Sequence, residues 1–325
     1  MNYKKNVGMF TKLNRFVSES NTGFSNDSKD SGGRFYTKDG IANVKKIGLT
    51  YWDRTSWYHT LLDMPTSHFL GLIFLCYVSV NFIFTGIYFI LGIDNLIGIA
   101  RDDLITEVMD TFFFSTQTFT TVGYGRISPA GMATSAVATF EAFIGLLSFA
   151  IATGLFYARF SKPEAHLKFT KSILISPYQG QRALMFRVAP FKNNQLSYMK
   201  VKMTLAIRED EIGIYSNQFF QLVPALETVN LLPLSWTIVH VLDEKSPLAE
   251  FDDVALQALR FEILVYLSGY DEAYASQIVA RTSYLNSDLV PMAKFTKMYK
   301  ADERHQTTIL DFSLFDTYHR VETYD

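Results

Sequence analysis

The sequence predicts a membrane protein in two parts: an α-helical half that crosses the bilayer twice, and a second half folded as a β-sandwich. Three observations carry that reading. No Asp, Glu, Lys or Arg occurs between Asp63 and Asp94. A second apolar run, residues 131–160, holds a single charge, Glu141, before its basic end. Beyond Pro163 the apolar residues change to a period of two, as in Met199, Val201, Met203, Leu205 and Ile207. A length of 325 residues fits two domains on a prior of ~100–200 residues each. The net charge of -2 sums regions of opposite character and says nothing about partners.

Residues 1–50 form a polar amino-terminal segment rich in Asn, Ser, Lys and Gly, with no apolar core of the length a secretory signal needs. Residues 21–40 have the composition of a disordered stretch. Residues 51–64 carry Trp52, Arg54, Trp57, Tyr58 and His59 and stop before Pro65, which suits a helix lying in the membrane interface. The alternative is an aromatic belt extending the first span; Pro65 favours a break.

Residues 66–92 are the first span, long enough at ~1.5 Å per residue to cross a hydrocarbon core of ~30 Å. Residues 107–125 are too short to cross and read as a re-entrant helix followed by an extended segment, allowed at membrane depth only where protein buries it. The carboxyl end of that helix favours a cation. Residues 131–160 are the second span. A charge at its middle costs roughly 2.5–3.5 kcal/mol, so Glu141 is expected to face protein or water. A hydrogen-bonding carboxylate behind the re-entrant segment is the preferred role for Glu141, and a direct ion ligand the other. The single cysteine, Cys76, lies inside the first span, so no disulfide forms within the chain.

Orientation follows from charge. Ten Lys/Arg lie in residues 1–54, only Arg101 and Arg126 in residues 94–126, and Arg159, Lys162, Lys168 and Lys171 follow the second span. Both termini are therefore expected in the cytoplasm of a multi-pass protein of the plasma (cell inner) membrane. Residues 164–320 make up the sandwich. Its strand candidates are residues 183–188, 199–207, 236–241, 261–267 and 277–284, with turn signals at Gln179-Gly180, Asn193-Asn194 and Glu211-Ile212-Gly213.

Within the re-entrant segment, Thr121-Val122-Gly123-Tyr124-Gly125 spells a potassium-selective filter. Potassium sheds its water only where stacked backbone carbonyls replace it, and the Thr121 hydroxyl adds a layer. Pointing successive carbonyls the same way needs alternating backbone signs, which glycine makes cheap. Four copies are needed to ring one ion, so the motif implies a tetramer. A gating nucleotide-binding domain would need a Gly-rich turn, but only Gly180, Gly213 and Gly269 follow the second span. The six histidines have no metal-ligand spacing and no nucleophile motif is present, so the chain is expected to be no enzyme, with neither metal nor cofactor and no nucleic-acid partner. His240, within a strand, is expected to be packed or hydrogen-bonded.

The chain resembles the inward-rectifier potassium channel family, most closely its bacterial branch, over roughly residues 52–290. The resemblance is carried by the interfacial aromatic helix, the filter, ARFSKP at 158–163, LMFRV at 184–188, HVLDEKSPL at 240–248, FEILV at 261–265 and ARTSY at 280–284. It implies a homotetrameric pore stacked on immunoglobulin-like cytoplasmic domains. It also implies an inner-helix gate at Phe149 and Tyr157, and a cytoplasmic pore-apex loop at Tyr274, Ala275, Ser276 and Gln277, where the usual glycine is Ala275. Two departures matter. Gln117 stands where many members carry a glutamate paired with an arginine behind the filter, leaving filter support to hydrogen bonds from Gln117 and Glu141. No acid lies near Ser148 and Phe149 to attract blocking cations, which implies weak rectification.

Arg159 and Lys162 share a helix face at headgroup level, with Arg54 at similar depth. Each such cation contributes about 1 kcal/mol near an anionic leaflet. The resemblance extends this to regulation by inositol lipids, so an anionic phospholipid is the expected modulator and membrane lipids the expected partners besides further copies of the chain. The sequence therefore reads as an inward-rectifier-type potassium channel. A non-conducting or differently gated tetramer of the same fold is the alternative.

Overall fold

A computed structural model of the protein describes residues 16, 34–50, 56–211, 214–302 and 304–324, without the side chains of 209–211 and 214–216. The chain divides into two compact units, one of residues Lys46–Lys162 and one of Pro163–Asp325 with the described residues up to Lys45.

The helical unit opens with α1 (Trp57–Asp63), capped by Ser56, whose hydroxyl accepts from the His59 N–H. Met64 and Pro65 end it, and α2 (Thr66–Leu91) begins one residue later. Residues 51–55 of the expected interfacial helix lie outside the described residues. Gly92, at φ +94°, turns the chain out of α2 into β1 (Leu96–Ile97). Next come α3 (Leu104–Phe119), β2 (Ser128–Pro129) paired to β1, and α4 (Met132–Phe160). α2 and α4 are long and apolar enough to cross a membrane, whereas α3 is not. The three pack around Phe84, Tyr88, Phe114, Ile127 and Ala138, with the Tyr88 and Phe114 rings edge-on at 5.3 Å.

The β unit contains β3 (Leu167–Phe169), β4 (Ile173–Tyr178), β5 (Gln181–Pro190), β6 (Leu196–Glu211), β7 (Ile214–Leu222), β8 (Thr228–Leu231) and β9 (Trp236–Val241). A short helix, α5 (Asp253–Ala258), precedes β10 (Phe261–Asp271), β11 (Ser276–Leu285), β12 (Leu289–Val290), β13 (Ala293–Phe295), β14 (Tyr299–Asp302), β15 (Thr307–Leu310) and β16 (Tyr318–Arg320). One sheet runs β11-β10-β6-β7 with β8 against β6, and the other β12-β4-β5-β3 with β9 against β5. Ile175, Leu184 and Phe186 of one meet Val201, Leu205, Ile263 and Val265 of the other in one core. This is the expected sandwich. Gln179 and Gly180, at φ +52° and +73°, make the two-residue hairpin that sets Tyr178 opposite Gln181.

Three features depart from the sequence reading. β5, β6, β10 and β11 run past their expected ends while β9 keeps them, and β5 is buried on both faces, because Ala293, Phe295, Met298 and Phe315 cover its second side. Of the stretch expected to be disordered, residues 34–40 are ordered. The Glu262 carboxylate accepts from the Phe35 and Tyr36 N–H groups at 2.6 and 3.1 Å, and Phe35 is buried against Phe219. Residues 21–33 and the Ile212-Gly213 turn lie outside the described residues.

Candidate functional site

The expected filter segment follows α3 directly. Thr121, Gly123 and Gly125 have φ of +59°, +56° and +82°, whereas Val122 and Tyr124 do not enter the left-handed region. Every second residue is therefore inverted, the alternation that aligns successive carbonyls. The sequence pointed to the two glycines and missed Thr121 as the third inverted position. At the inner end, the Gln117 carbonyl accepts from the Val122 and Gly123 N–H groups at 2.9 and 3.3 Å. The support Gln117 gives is thus a main-chain one. A Cβ at Gly123 would meet nothing within 4 Å, so backbone sign rather than space demands glycine there.

Behind α3, Glu141 is fully buried. It accepts from the Tyr88 hydroxyl of α2 at 2.6 Å and from the Ser115 hydroxyl of α3, which also lies 3.0 Å from the Asn81 side-chain oxygen. One carboxylate thereby ties three helices together. Asn81, Tyr88 and Ser115 were not foreseen, since nothing in their spacing says which helix faces meet. Gly145 was missed too. A Cβ there would stand 1.8 Å from the Phe119 carbonyl oxygen, so α4 lets the end of α3 come close only through glycine. The available signal was a glycine inside a long apolar helix.

A different ion pair from the one whose absence Gln117 implies stands next to the expected filter segment. It joins Arg126, immediately after the filter, to Asp110 of α3 at 2.5 Å. It went unseen because the acid lies two turns from the position the resemblance singled out.

Phe149 and Tyr157 stand out from α4 and are 73% and 75% exposed within one chain. Arg159 and Lys162 do not present free cations. The Arg159 guanidinium donates to the carbonyls of Leu61, Leu62 and Met64 at 2.8, 3.1 and 2.6 Å and lies over the Phe69 ring. It closes the carboxyl end of α1, where orphan carbonyls attract a cation. Lys162 pairs with Asp63, whose carboxyl is held below its usual range first by that hydrogen bond and then by the ammonium charge. Arg54 lies outside the described residues.

In the β unit, the expected apex loop divides. Tyr274 and Ala275 are in the turn, but Ser276 and Gln277 already belong to β11. Buried Asp271 closes the turn by accepting from the Ala273 and Tyr274 N–H groups at 2.9 and 3.3 Å. Ala275 takes φ +48°, a conformation glycine would adopt without strain. His240 is buried, with Nδ1 2.8 Å from the Val223 carbonyl and Nε2 2.8 Å from the Ser246 hydroxyl. A carbonyl only accepts, so Nδ1 carries the proton and Ser246 donates to Nε2. Burial holds the imidazole below its usual range, and the neutral form serves. Among the described residues no group of three or more His, Cys, Asp or Glu is placed to hold a metal.

Comparison with known proteins places both units. The model of the inward rectifier potassium channel C-terminal domain matches residues 167–325, and an ion channel model matches residues 75–162. The chain is 32% identical over 271 residues to the inward rectifier potassium channel Kirbac3.1 of Paramagnetospirillum magnetotacticum, covering 82% of this chain and 89% of that one. It is 26% identical over 325 residues to the G protein-activated inward rectifier potassium channel 2 of Rattus norvegicus, covering 89% and 72%. The ATP-sensitive inward rectifier potassium channel 10 of Homo sapiens is 27% identical over 317 residues, covering 87% and 80%. Among solved structures, the sporulation control protein Spo0M of Bacillus subtilis overlaps 40% of this chain and 50% of its own at a TM-score of 0.20 and 7% identity, a likeness too small to carry an argument.

Proposed function

The chain belongs to the inward-rectifier potassium channel family, and on that premise we propose that four copies surround one pore passing potassium selectively across the plasma membrane, with both termini cytoplasmic. The observation that carries this is the backbone of residues 121–125, inverted at Thr121, Gly123 and Gly125. Val122 and Tyr124, 52% and 79% exposed in one chain, leave the packing around the filter to further copies.

The gate lies at Phe149 and Tyr157, where four inner helices bring apolar and aromatic rings together and dewet the pore. Rectification is weak, because the one acid of α4, Glu141, is spent on Ser115 and Tyr88 and has no exposed surface. The channel needs no cofactor, and Tyr274 to Gln277 edge the cytoplasmic opening. Anionic phospholipid lowers conduction through the cations Arg54, Arg159 and Lys162. Lys162 exchanges its exposed partner Asp63 for the headgroup, and Arg159, fixed to α1, passes the change to the inner helix two residues from Tyr157. Rubidium flux into liposomes, with and without an anionic inositol lipid, tests this. Tyr157→Ala is expected to raise basal flux several-fold in intact tetramers, and the lipid to lower the flux of the parent. A Tyr157→Ala flux no higher than the parent's moves the gate elsewhere.

A further inference from the structure

The filter segment is tied down at its two ends and not between them. Its inner end hangs on the Gln117 carbonyl, through the Val122 and Gly123 N–H groups. Among the described residues none makes a hydrogen bond with Tyr124 or Gly125 within the chain. The next anchor is Arg126. Its Nη2 reaches one oxygen of Asp110 at 2.5 Å, and its Nη1 the other at 3.2 Å.

Asp110 is built to hold that fork. It sits on α3 with a side chain only 13% exposed, and its second oxygen also accepts from the Ala100 N–H at 3.1 Å. The loop between β1 and α3 closes over the same point. Gly98, at φ +97°, lies so near that a Cβ there would stand 2.0 Å from the Arg126 carbonyl oxygen. One carboxylate thus fixes the outer loop, the pore helix and the residue that ends the filter. A bidentate guanidinium–carboxylate pair fixes direction as well as distance, which a point charge does not.

We propose that Asp110 and Arg126 form a positioning pair that sets the outer end of the filter and through it the preference for potassium over sodium. The proposal rests on the channel reading. A carbonyl cage replaces the water of potassium only while its rings keep their number and spacing, and those rings lie between the Gln117 anchor and this one. Freeing the outer anchor lets the carbonyls of Tyr124 and Gly125 turn and take water, and the smaller ion then enters.

The test is rubidium uptake by liposomes against competing potassium or sodium, in the parent, Asp110→Asn, Arg126→Gln, the double variant and Arg126→Lys. Each Gln or Asn variant is expected to lower the potassium-over-sodium ratio about tenfold. The double variant should be no worse than the worse single, since two halves of one contact are non-additive. Arg126→Lys, which keeps charge but not the fork, should resemble Arg126→Gln. If Asp110→Asn does not assemble, the more exposed Arg126 decides through its own two variants. Parent-like selectivity in Arg126→Gln, or effects that multiply in the double variant, would overturn the pair while leaving the channel reading in place. A parent without potassium-selective uptake would remove that reading and the pair with it.

Discussion

In the β unit the side chains most fully shut from water include Phe186, Val201, Leu205 and Ile263, whereas in the helical unit they include Asn81, Thr111, Ser115 and Glu141. The two halves solve different problems. A sandwich in water gains stability by removing apolar surface, roughly 25 cal/mol per Å². Helices in lipid gain nothing from hiding apolar faces from an apolar solvent, so close packing and hydrogen bonds fix their positions. The outer faces agree with this: Phe74, Ile90 and Met132 are 67%, 87% and 90% exposed on the helical unit. Small and polar residues should therefore be the sensitive ones in the helical unit, and large apolar ones in the sandwich.

The largest break in that comparison comes from a single methyl. Gly145→Ala places its Cβ 1.8 Å from the Phe119 carbonyl oxygen, where backbone rather than a flexible side chain must yield. We expect rubidium flux to fall at least tenfold, while Gly86→Ala, which meets nothing within 4 Å, leaves flux unchanged. Equal fluxes in the two variants would mean that α3 does not rely on the close approach. In the sandwich the sensitive residue is large. Phe186→Ala empties a fully buried site beside the Tyr284 ring, 5.3 Å away between centroids. It should lower stability by about 3–5 kcal/mol, read by chemical denaturation of the purified channel. A loss under about 1 kcal/mol would show that the core collapses around the gap.

A smaller effect sharpens the contrast, because His240 is one of several polar residues buried inside the sandwich. Its native pKa is depressed by burial, so the unfolded chain takes up a proton near pH ~6.5 while the folded one does not. The unfolded state then binds more protons, and stability falls as pH drops below ~6.5 toward the depressed native value, by at most ~1.4 kcal/mol per unit. Above that window His240 contributes no pH dependence. Denaturation midpoints at pH 7.5 and 5.5 should differ more for the parent than for His240→Gln, and equal differences would show that the imidazole titrates alike folded and unfolded.

The parts of this architecture that the sequence made legible are those written in local pattern. A charge-free run marked α2, an apolar run interrupted only by Glu141 before its basic end marked α4, and the alternation from Met199 to Ile207 marked β6. The pentapeptide pointed to a filter because its glycines are a local requirement. What escaped depends on partners distant in the chain. Glu141 could be placed against protein by the cost of its charge, but Tyr88 and Ser115 are chosen by how three helices meet. The alternation fails in β5 because the cover of its second face comes a hundred residues later, from Ala293 to Phe315. Arg159 was read as a headgroup ligand from its depth, and depth does not reveal that the carbonyls of α1 end beside it. Residues 34–40 look disordered by composition, yet their backbone N–H groups find a buried carboxylate on β10.

Rubidium uptake by liposomes holding the parent or Gly123→Val tests most directly whether residues 121–125 form the conducting filter. Valine cannot adopt φ +56° without strain, although nothing within 4 Å of the chain blocks its Cβ. The expected result is uptake by the parent that potassium, but not equal sodium, competes away, and none by Gly123→Val in tetramers of normal stability. Potassium-selective uptake by Gly123→Val would contradict the account, because the carbonyl stack would then not depend on the inverted backbone at that residue.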